Sequence, residues 1–101
     1  MSAYVIVYLD GVTDPAKMAE YRRLGVPTLT KFGAKTRIMN GKMEVPEGKM
    51  PQAVVMLEFP SLDAAKTWYH SPEYQEALQH RLAGARCTVV MVEGVAPPAA
   101  P

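Results

Sequence analysis

The chain has 101 residues, of which 49% are apolar and 21% are charged. This size and balance are typical of one folded globular domain and exclude a disordered or fibrous chain. The 11 basic and 10 acidic side chains nearly cancel, so no basic surface indicates nucleic acid or an anionic membrane as a partner.

Cysteine usage and hydropathy bear on the compartment. Cys87 is the single cysteine, so an internal disulfide is excluded. The first residues lack the basic segment and apolar run of a signal peptide, and no apolar stretch approaches the roughly 20 residues that span a bilayer. We therefore expect a cytoplasmic protein with no membrane partner.

The first strand is predicted over residues 3–9, where β-branched and aromatic side chains occupy both alternating faces. Apolar side chains on both faces indicate that both are buried. A cap at Thr13 or Asp14, followed by Pro15, then predicts the start of an amphipathic helix. Gly33 is the expected end of that helix.

Two features in and after this helix predict irregular backbone. Pro27 lacks a backbone donor and disfavours helical geometry before it, so we expect a kink or a break there. Residues 35–39 form a short second strand, and Asn40-Gly41 is a hairpin dipeptide that predicts pairing of residues 43–45 back onto that strand. A loop follows.

The second half repeats the pattern of a strand followed by helix. Residues 52–59 predict a third strand that is apolar on both faces except at Glu58. Ser61 and Ser71 each cap a helix, and Ser71 is followed by proline and glutamate. Residues 86–93 predict the last strand.

The order of strand, helix, strand, strand, helix pair and strand predicts an α+β, ferredoxin-like βαββαβ fold. This fold is a four-stranded antiparallel sheet with helices on one face. Because three strands are apolar on both faces, the second face needs a cover, and a second copy of the same sheet supplies one. We expect a homodimer joined through its sheets, with one domain over residues 1–95 and a disordered Ala/Pro tail over residues 96–101.

Several separated motifs also resemble a known family. They are Ala3-Tyr4-Val5-Ile6-Val7, Glu20-Tyr21-Arg22 with Pro27, Gly41 before Glu44-Val45 and Glu47-Gly48, Leu57-Glu58-Phe59-Pro60-Ser61, and Trp68-Tyr69 with Ser71-Pro72-Glu73-Tyr74. Over about residues 2–95 the chain resembles the domain-of-unknown-function 1330 family, in the dimeric α+β barrel superfamily. The resemblance implies a homodimer with a pocket between sheet and helices or at the subunit boundary. The superfamily includes cofactor-free monooxygenases, isomerases and haem enzymes, so fold kinship alone does not select a chemistry.

Glu58 is the candidate catalytic base, because an ionised carboxylate in an apolar strand is costly unless a cation or several donors meet it. The alternative is a structural ion pair with Arg81, Arg37 or Arg22, or a strand-end side chain that reaches water. Arg81 lies on the apolar stripe of the last helix. It is a candidate clamp for an anion, or its stem lies along the edge of the core.

His70 is a second candidate acid or base, although a surface position at a helix junction is the alternative. His70 and His80 have no carboxylate or cysteine at ligand spacing, so no metal site is expected. Cys87 is interpreted as a small buried hydrophobic residue. We expect no cofactor, because no histidine occupies a clearly apolar position suited to haem.

Aromatic and arginine side chains on the facing elements are the candidate ligand-binding residues. They are Tyr4, Tyr21, Arg22, Arg37, Trp68, Tyr69, Tyr74 and Arg81. The first hypothesis is a dimeric protein that binds a small molecule and performs cofactor-free proton transfer, isomerisation or oxidation. The alternative is a non-catalytic homodimer acting as a sensor, carrier or accessory protein.

Overall fold

The computed structural model describes residues 1–96, and its elements follow the predicted order. Of the predicted tail, Ala96 is described and residues 97–101 lie outside the described residues. Within residues 1–96, no helix is both long and apolar enough to cross a membrane. The elements are β1 (Ala3–Val12), α1 (Pro15–Lys31), β2 (Lys35–Met39), β3 (Ala53–Phe59), α2 (Leu62–Tyr69), α3 (Pro72–Gly84) and β4 (Ala85–Glu93).

The four strands form one antiparallel sheet in the order β2-β3-β1-β4, which is the predicted ferredoxin-like arrangement. The long strand β1 is central and pairs with both β3 and β4. Its register with β4 shifts between Leu9 and Gly11, where the ladder is irregular. Side chains along β1 alternate between the two faces of the sheet.

Alternate side chains of β1 serve those two faces. Val5 is fully buried and belongs to the core beneath the helices, and Val7 packs against that core. Ile6 and Tyr8 lie at the opposite parity, and Tyr8 is 38% exposed. We call the side of the sheet that carries Ile6 and Tyr8 the open face.

The core fills the space between the helices and the other side of the sheet. Trp68 is its centre, with ring centroids 4.0 Å from Tyr74 and 5.2 Å from Phe59. Such tilted aromatic contacts add to the free energy gained by burying apolar area. The buried cluster comprises Val5, Leu57, Phe59, Ala65, Trp68, Tyr74 and Leu78.

Side-chain caps begin all three helices, as the sequence predicts. The Asp14 carboxylate accepts hydrogen bonds from the backbone N–H groups of Ala16 at 3.1 Å and Lys17 at 3.2 Å, so Asp14 rather than Thr13 is the cap. Ser61 accepts from the N–H of Ala64, and Ser71 from that of Tyr74. These caps fix the starts of α2 and α3, which carry Trp68 and Tyr74 into the same core.

Of the kink or break predicted near Pro27, the break was wrong, because α1 continues through the proline to Lys31. Two flanking residues are buried: Gly25 faces Ala77 of α3, and the Thr28 hydroxyl donates to the Gly25 carbonyl at 2.6 Å. Packing on both sides of the proline outweighs the lost backbone hydrogen bond. Gly33, with φ of 75°, follows the helix as expected.

The predicted pairing of residues 43–45 with β2 was also wrong. Asn40 adopts a positive φ of 55° and ends β2, but the chain from 40 to 52 contains no strand. Met43 and Val45 instead line a cleft with Tyr8 at one end of the open face. Partial burial of these two apolar side chains favours the loop over an exposed edge hairpin.

Gly84 marks a close approach between the end of α3 and the start of α1. A Cβ atom there would lie 2.9 Å from the Lys17 Cβ and 3.0 Å from the Asp14 carbonyl oxygen. Gly84→Ala is therefore expected to lower the free energy of unfolding by about 1–3 kcal/mol, because the helix ends must separate. Urea unfolding measures the loss.

The control is Gly41→Ala, since a Cβ at Gly41 meets no atom within 4 Å. That variant should stay within about 0.5 kcal/mol of the wild type. Equal stability of the two variants would contradict the close approach at Gly84.

Candidate functional site

A cavity of about 170 Å³ lies between the helix-facing side of the sheet and the helices α1 and α3. Most of its lining is apolar, and the polar atoms come from a few side chains. The lining residues are Val7, Leu9, Met18, Tyr21, Arg22, Gly25, Val26, Leu29, Met39, Asn40, Val55, Leu57, Trp68, Tyr74, Arg81 and Cys87. An apolar cavity with a few convergent polar groups has the character of a small-molecule site.

Two tyrosines from different helices meet at one side of the cavity. The hydroxyls of Tyr21 in α1 and Tyr74 in α3 are 2.9 Å apart, and the rings meet edge to face. Burial raises the pKa of Tyr74 above its ordinary value, and the neighbouring Tyr21 adds to the effect. Tyr74 therefore stays a neutral phenol. One of the two hydroxyls donates to the other, which leaves a second hydroxyl proton free.

Trp68 is held in the wall of the cavity by a hydrogen bond. Its Nε1–H donates to the Thr28 hydroxyl at 2.9 Å, and both residues are buried. The Thr28 hydroxyl in turn donates to the Gly25 carbonyl. This chain satisfies the polar atoms of Trp68 and Thr28, so neither is free to bind a ligand without losing an internal bond.

Arg81 is the unusual member of the lining. It is only 4% exposed, and its Nε has no hydrogen-bond partner among residues 1–96. Its guanidinium carbon lies 5.7 Å from the centroid of the Tyr21 ring. Although burial opposes the charge, the nearby Tyr74 and Tyr21 hydroxyls favour it, and the pKa of Arg81 is raised above its ordinary value. The arginine therefore remains a cation inside the protein.

Among residues 1–96, no carboxylate forms an ion pair with this cation. The three ion pairs in that part of the chain involve other residues. They join Arg23 to Glu20, Lys31 to Glu73, and Arg37 to Glu58. The polar neighbours that act on Arg81 are the hydroxyls of Tyr74 and Tyr21 and the sulfur of Cys87, and none of these side chains is a carboxylate.

The structure brings five of the eight predicted ligand-binding residues to the cavity: Tyr21, Arg22, Trp68, Tyr74 and Arg81. Tyr69 packs in the aromatic cluster, 5.5 Å from Tyr74 between ring centroids, without lining the cavity. Tyr4 lies on the open face, opposite Glu58 in the pairing of β1 with β3. Arg37 lies on the edge strand β2, at the register shift opposite β3.

Glu58 lies across the sheet from the cavity. Its carboxylate accepts hydrogen bonds from Arg37 Nε at 2.8 Å and from the Ser2 hydroxyl at 2.9 Å. Of the three arginines considered as partners, Arg37 is the one that forms the ion pair. The bond from Arg37, and then that from Ser2, lower the pKa of Glu58 below its ordinary value. A base at this carboxylate would serve the open face and not the cavity.

Loss of the Arg37 guanidinium should therefore raise the pKa of Glu58. Arg37→Gln is expected to move the titration of the Glu58 carboxyl towards that of a free glutamate, which NMR of the side-chain carbonyl carbon measures. Because the folded-state pKa is depressed, the stabilisation is present above the unfolded-state pKa and is lost as the pH falls through the folded-state pKa. An unchanged Glu58 pKa in Arg37→Gln would contradict the assignment.

His70 lies at the C-terminal end of α2, outside the cavity. It is exposed, and its ring meets the Tyr69 ring edge on at a centroid distance of 5.2 Å. Its role as an acid or base stays a prediction. Among residues 1–96, no group of three or more His, Cys, Asp or Glu side chains could hold a metal ion.

Sequence reasoning missed three polar or sulfur-bearing residues at this site. Thr28 supports Trp68, while Asn40 and Cys87 line the cavity. Cys87 was interpreted as a small buried hydrophobic residue. It is half-buried on β4, and it lies beside the polar side chain of Arg81, so that interpretation is confirmed only in part. No local pattern in the sequence distinguishes these positions, because their proximity comes from crossings between distant elements.

Comparison with known proteins supplies a family. The model described as "Domain of unknown function (DUF1330)" matches residues 2–95. No curated protein matches the chain.

Solved structures similar to this one share its fold at low sequence identity. A protein of unknown function from Rhodopseudomonas palustris is 20% identical, with a TM-score of 0.74, over 95% of this chain and 84% of that one. A dimeric ferredoxin-like protein of unknown function from Jannaschia is 16% identical, with a TM-score of 0.68. The match covers 93% of this chain and 100% of that one. The cofactor-independent oxygenase SnoaB from Streptomyces nogalater is 9% identical, with a TM-score of 0.64. The match covers 95% of this chain and 94% of that one. These identities establish a shared fold.

Proposed function

This chain belongs to the family described as domain of unknown function DUF1330, and from that premise we propose that it is a homodimer that binds a small, largely apolar molecule in the cavity between its sheet and α1 and α3. The observation that carries the proposal is an apolar cavity of about 170 Å³ with Arg81 and two tyrosine hydroxyls at its side. An apolar cavity of about 150 Å³ holds benzene in another protein. A single substituted ring or a short aliphatic chain is thus the size of ligand that fits.

Binding is favoured over catalysis by the chemistry of the lining. Among the described residues that line the cavity, none is a carboxylate or a histidine, so Tyr21, Tyr74 and Cys87 are the available acid or base groups. The raised pKa of Tyr74 disfavours a tyrosinate base. Glu58 is engaged with Arg37 on the opposite side of the sheet. We therefore assign the cavity a binding role, as in a sensor, carrier or accessory protein, and no catalytic step.

The experiment is a thermal-shift screen with small ring and chain compounds, each present as acid, alcohol and amide. A ligand at 100 times its dissociation constant adds about 2.7 kcal/mol to the folded state, which a melting curve resolves. Val55→Phe places a ring at the cavity wall and should abolish the shift. Val95→Phe makes the same replacement at a residue that is 94% exposed and should leave the shift intact.

Two outcomes would contradict ligand binding in this cavity. One is a screen in which no compound stabilises the wild-type protein. The other is a compound whose shift persists in Val55→Phe at wild-type strength, which would place its site elsewhere.

The dimer part of the proposal rests on the open face. Four apolar side chains there are more than a third exposed in the single chain: Tyr8 at 38%, Ile38 and Val90 at 39%, and Val92 at 44%. Burying such a sheet face against its own copy removes the exposed apolar area and forms a closed, twofold assembly. The similar protein from Jannaschia is described as dimeric, which supports a dimer here.

A further inference from the structure

We propose that the ligand of the cavity is an organic anion, a small carboxylate or similarly planar oxyanion, whose charge pairs with Arg81 while its apolar body fills the cavity. This inference rests on the proposed binding function and specifies the chemical class of its ligand. Arg81 is the residue that carries it.

The first argument is the unbalanced charge. Arg81 is 4% exposed, its Nε lacks an acceptor among residues 1–96, and no ion pair of that region includes it. A buried charge without a partner is costly, and a nearby anion removes much of that cost. The Tyr74 hydroxyl and the Cys87 sulfur are hydrogen-bonding neighbours of the guanidinium, but the Nε–H has no partner among residues 1–96. A carboxylate bound in the cavity would supply both an acceptor for the Nε–H and the ion-pair partner that Arg81 lacks there.

The second argument is the shape of the donor set. A guanidinium binds a carboxylate through parallel hydrogen bonds, which suits a planar oxyanion better than a spherical ion. Beside it, the pair formed by Tyr21 and Tyr74 keeps one hydroxyl proton that is not used between them. The polar side of the cavity therefore offers donors in excess of acceptors.

The third argument is the charge of the whole lining. Among the described residues that surround the cavity there are two arginines, Arg22 and Arg81, and no acidic residue. Arg22 is exposed at its position on α1, whereas Arg81 is buried. An anion would meet positive charge both on entry and at its binding position, whereas a cation would be repelled at both.

The test compares matched acids and amides that differ in charge and little in shape. Phenylacetate is paired with phenylacetamide and hexanoate with hexanamide, and the binding of each to isotope-labelled full-length protein is followed by NMR at neutral pH. Chemical-shift changes at the backbone amides of Gly25 and Val55 report occupancy of the cavity. We expect the acid to bind at least about tenfold more tightly than its amide, as a charged hydrogen bond would give.

Arg81→Met tests the residue, because it keeps an apolar stem and removes the charge. The preference for acid over amide should vanish in this variant, while the unliganded protein should melt at or above the wild-type temperature because an unpaired buried charge is gone. Arg86→Met is the matched control, because Arg86 is exposed on β4 and does not line the cavity, and it should keep the preference. If Arg81→Met does not fold, the comparison of acid with amide in the wild-type protein still decides the ligand class.

The outcomes separate this inference from the function on which it rests. Equal binding of acid and amide in the cavity would overturn the anion assignment and leave the binding function standing. A preference for acid over amide that persists in a folded Arg81→Met variant would overturn the assignment to Arg81. Binding of neither compound of either pair, together with no hit among the neutral compounds of the thermal screen, would overturn the binding function itself.

Discussion

Trp68→Ala is expected to lower the free energy of unfolding by about 3–5 kcal/mol, the range for removing a large buried aromatic side chain. Trp68 is 2% exposed and contacts the rings of Phe59 and Tyr74. The variant also removes the donor that serves the buried Thr28 hydroxyl. Because domains of this size have a total stability of roughly 5–15 kcal/mol, much of the variant should be unfolded near its working temperature. Urea unfolding followed by circular dichroism measures the loss.

Leu82→Ala is the control for Trp68→Ala. Leu82 lies on α3 and is 67% exposed, so its truncation should change the stability by less than about 0.5 kcal/mol. A loss below about 1 kcal/mol in Trp68→Ala would show that the wall of the cavity does not depend on this side chain.

Ile6→Lys is expected to separate the proposed dimer into single chains. Ile6 lies on the central strand of the open face, opposite Met56 of β3 and Val90 of β4. Twofold symmetry would bury two unpaired ammonium groups in one interface. Each costs several kcal/mol, so the dimer dissociation constant should rise by at least about a thousandfold. Sedimentation equilibrium over a range of concentrations measures that constant.

Leu82→Lys adds the same charge to an exposed helical position and should remain dimeric. A wild-type protein that stays a single chain at micromolar concentration, or an Ile6→Lys variant that stays a dimer, would contradict assembly through the open face. The folded content of the variant, checked by circular dichroism, distinguishes dissociation from unfolding.

The fold was predictable because its signals are local. Strand runs, the cap at Asp14, and the Ser71-Pro72 start specify each element within a few residues, and the order of elements then selects a single topology. The two local errors share a cause. Pro27 and Asn40-Gly41 are strong local signals that tertiary packing overrode, through Thr28 in the first case and Met43 in the second.

The site was less predictable because it depends on which face of an element a residue occupies. Arg81 and Tyr74 lie on the apolar stripe of α3, so periodicity could place them near the core. Glu58 and Leu57 are neighbours in sequence but lie on opposite faces of β3, so the candidate base and the cavity are separated by the sheet. Thr28 and Cys87 became part of the site through contacts between distant elements, which no single segment encodes.

The alternation along β1 has a consequence for how the chain can change in length. Val7 faces the cavity, while Ile6 and Tyr8 face the other way, so a single residue inserted or deleted before Leu9 would exchange the two sets. A substitution changes one side chain, whereas such a frame slip would move every side chain of the strand at once. The register shift between Leu9 and Gly11 is the place along β1 where an extra residue is already accommodated. Length variation in β1 should therefore be tolerated beyond Leu9 and not before it.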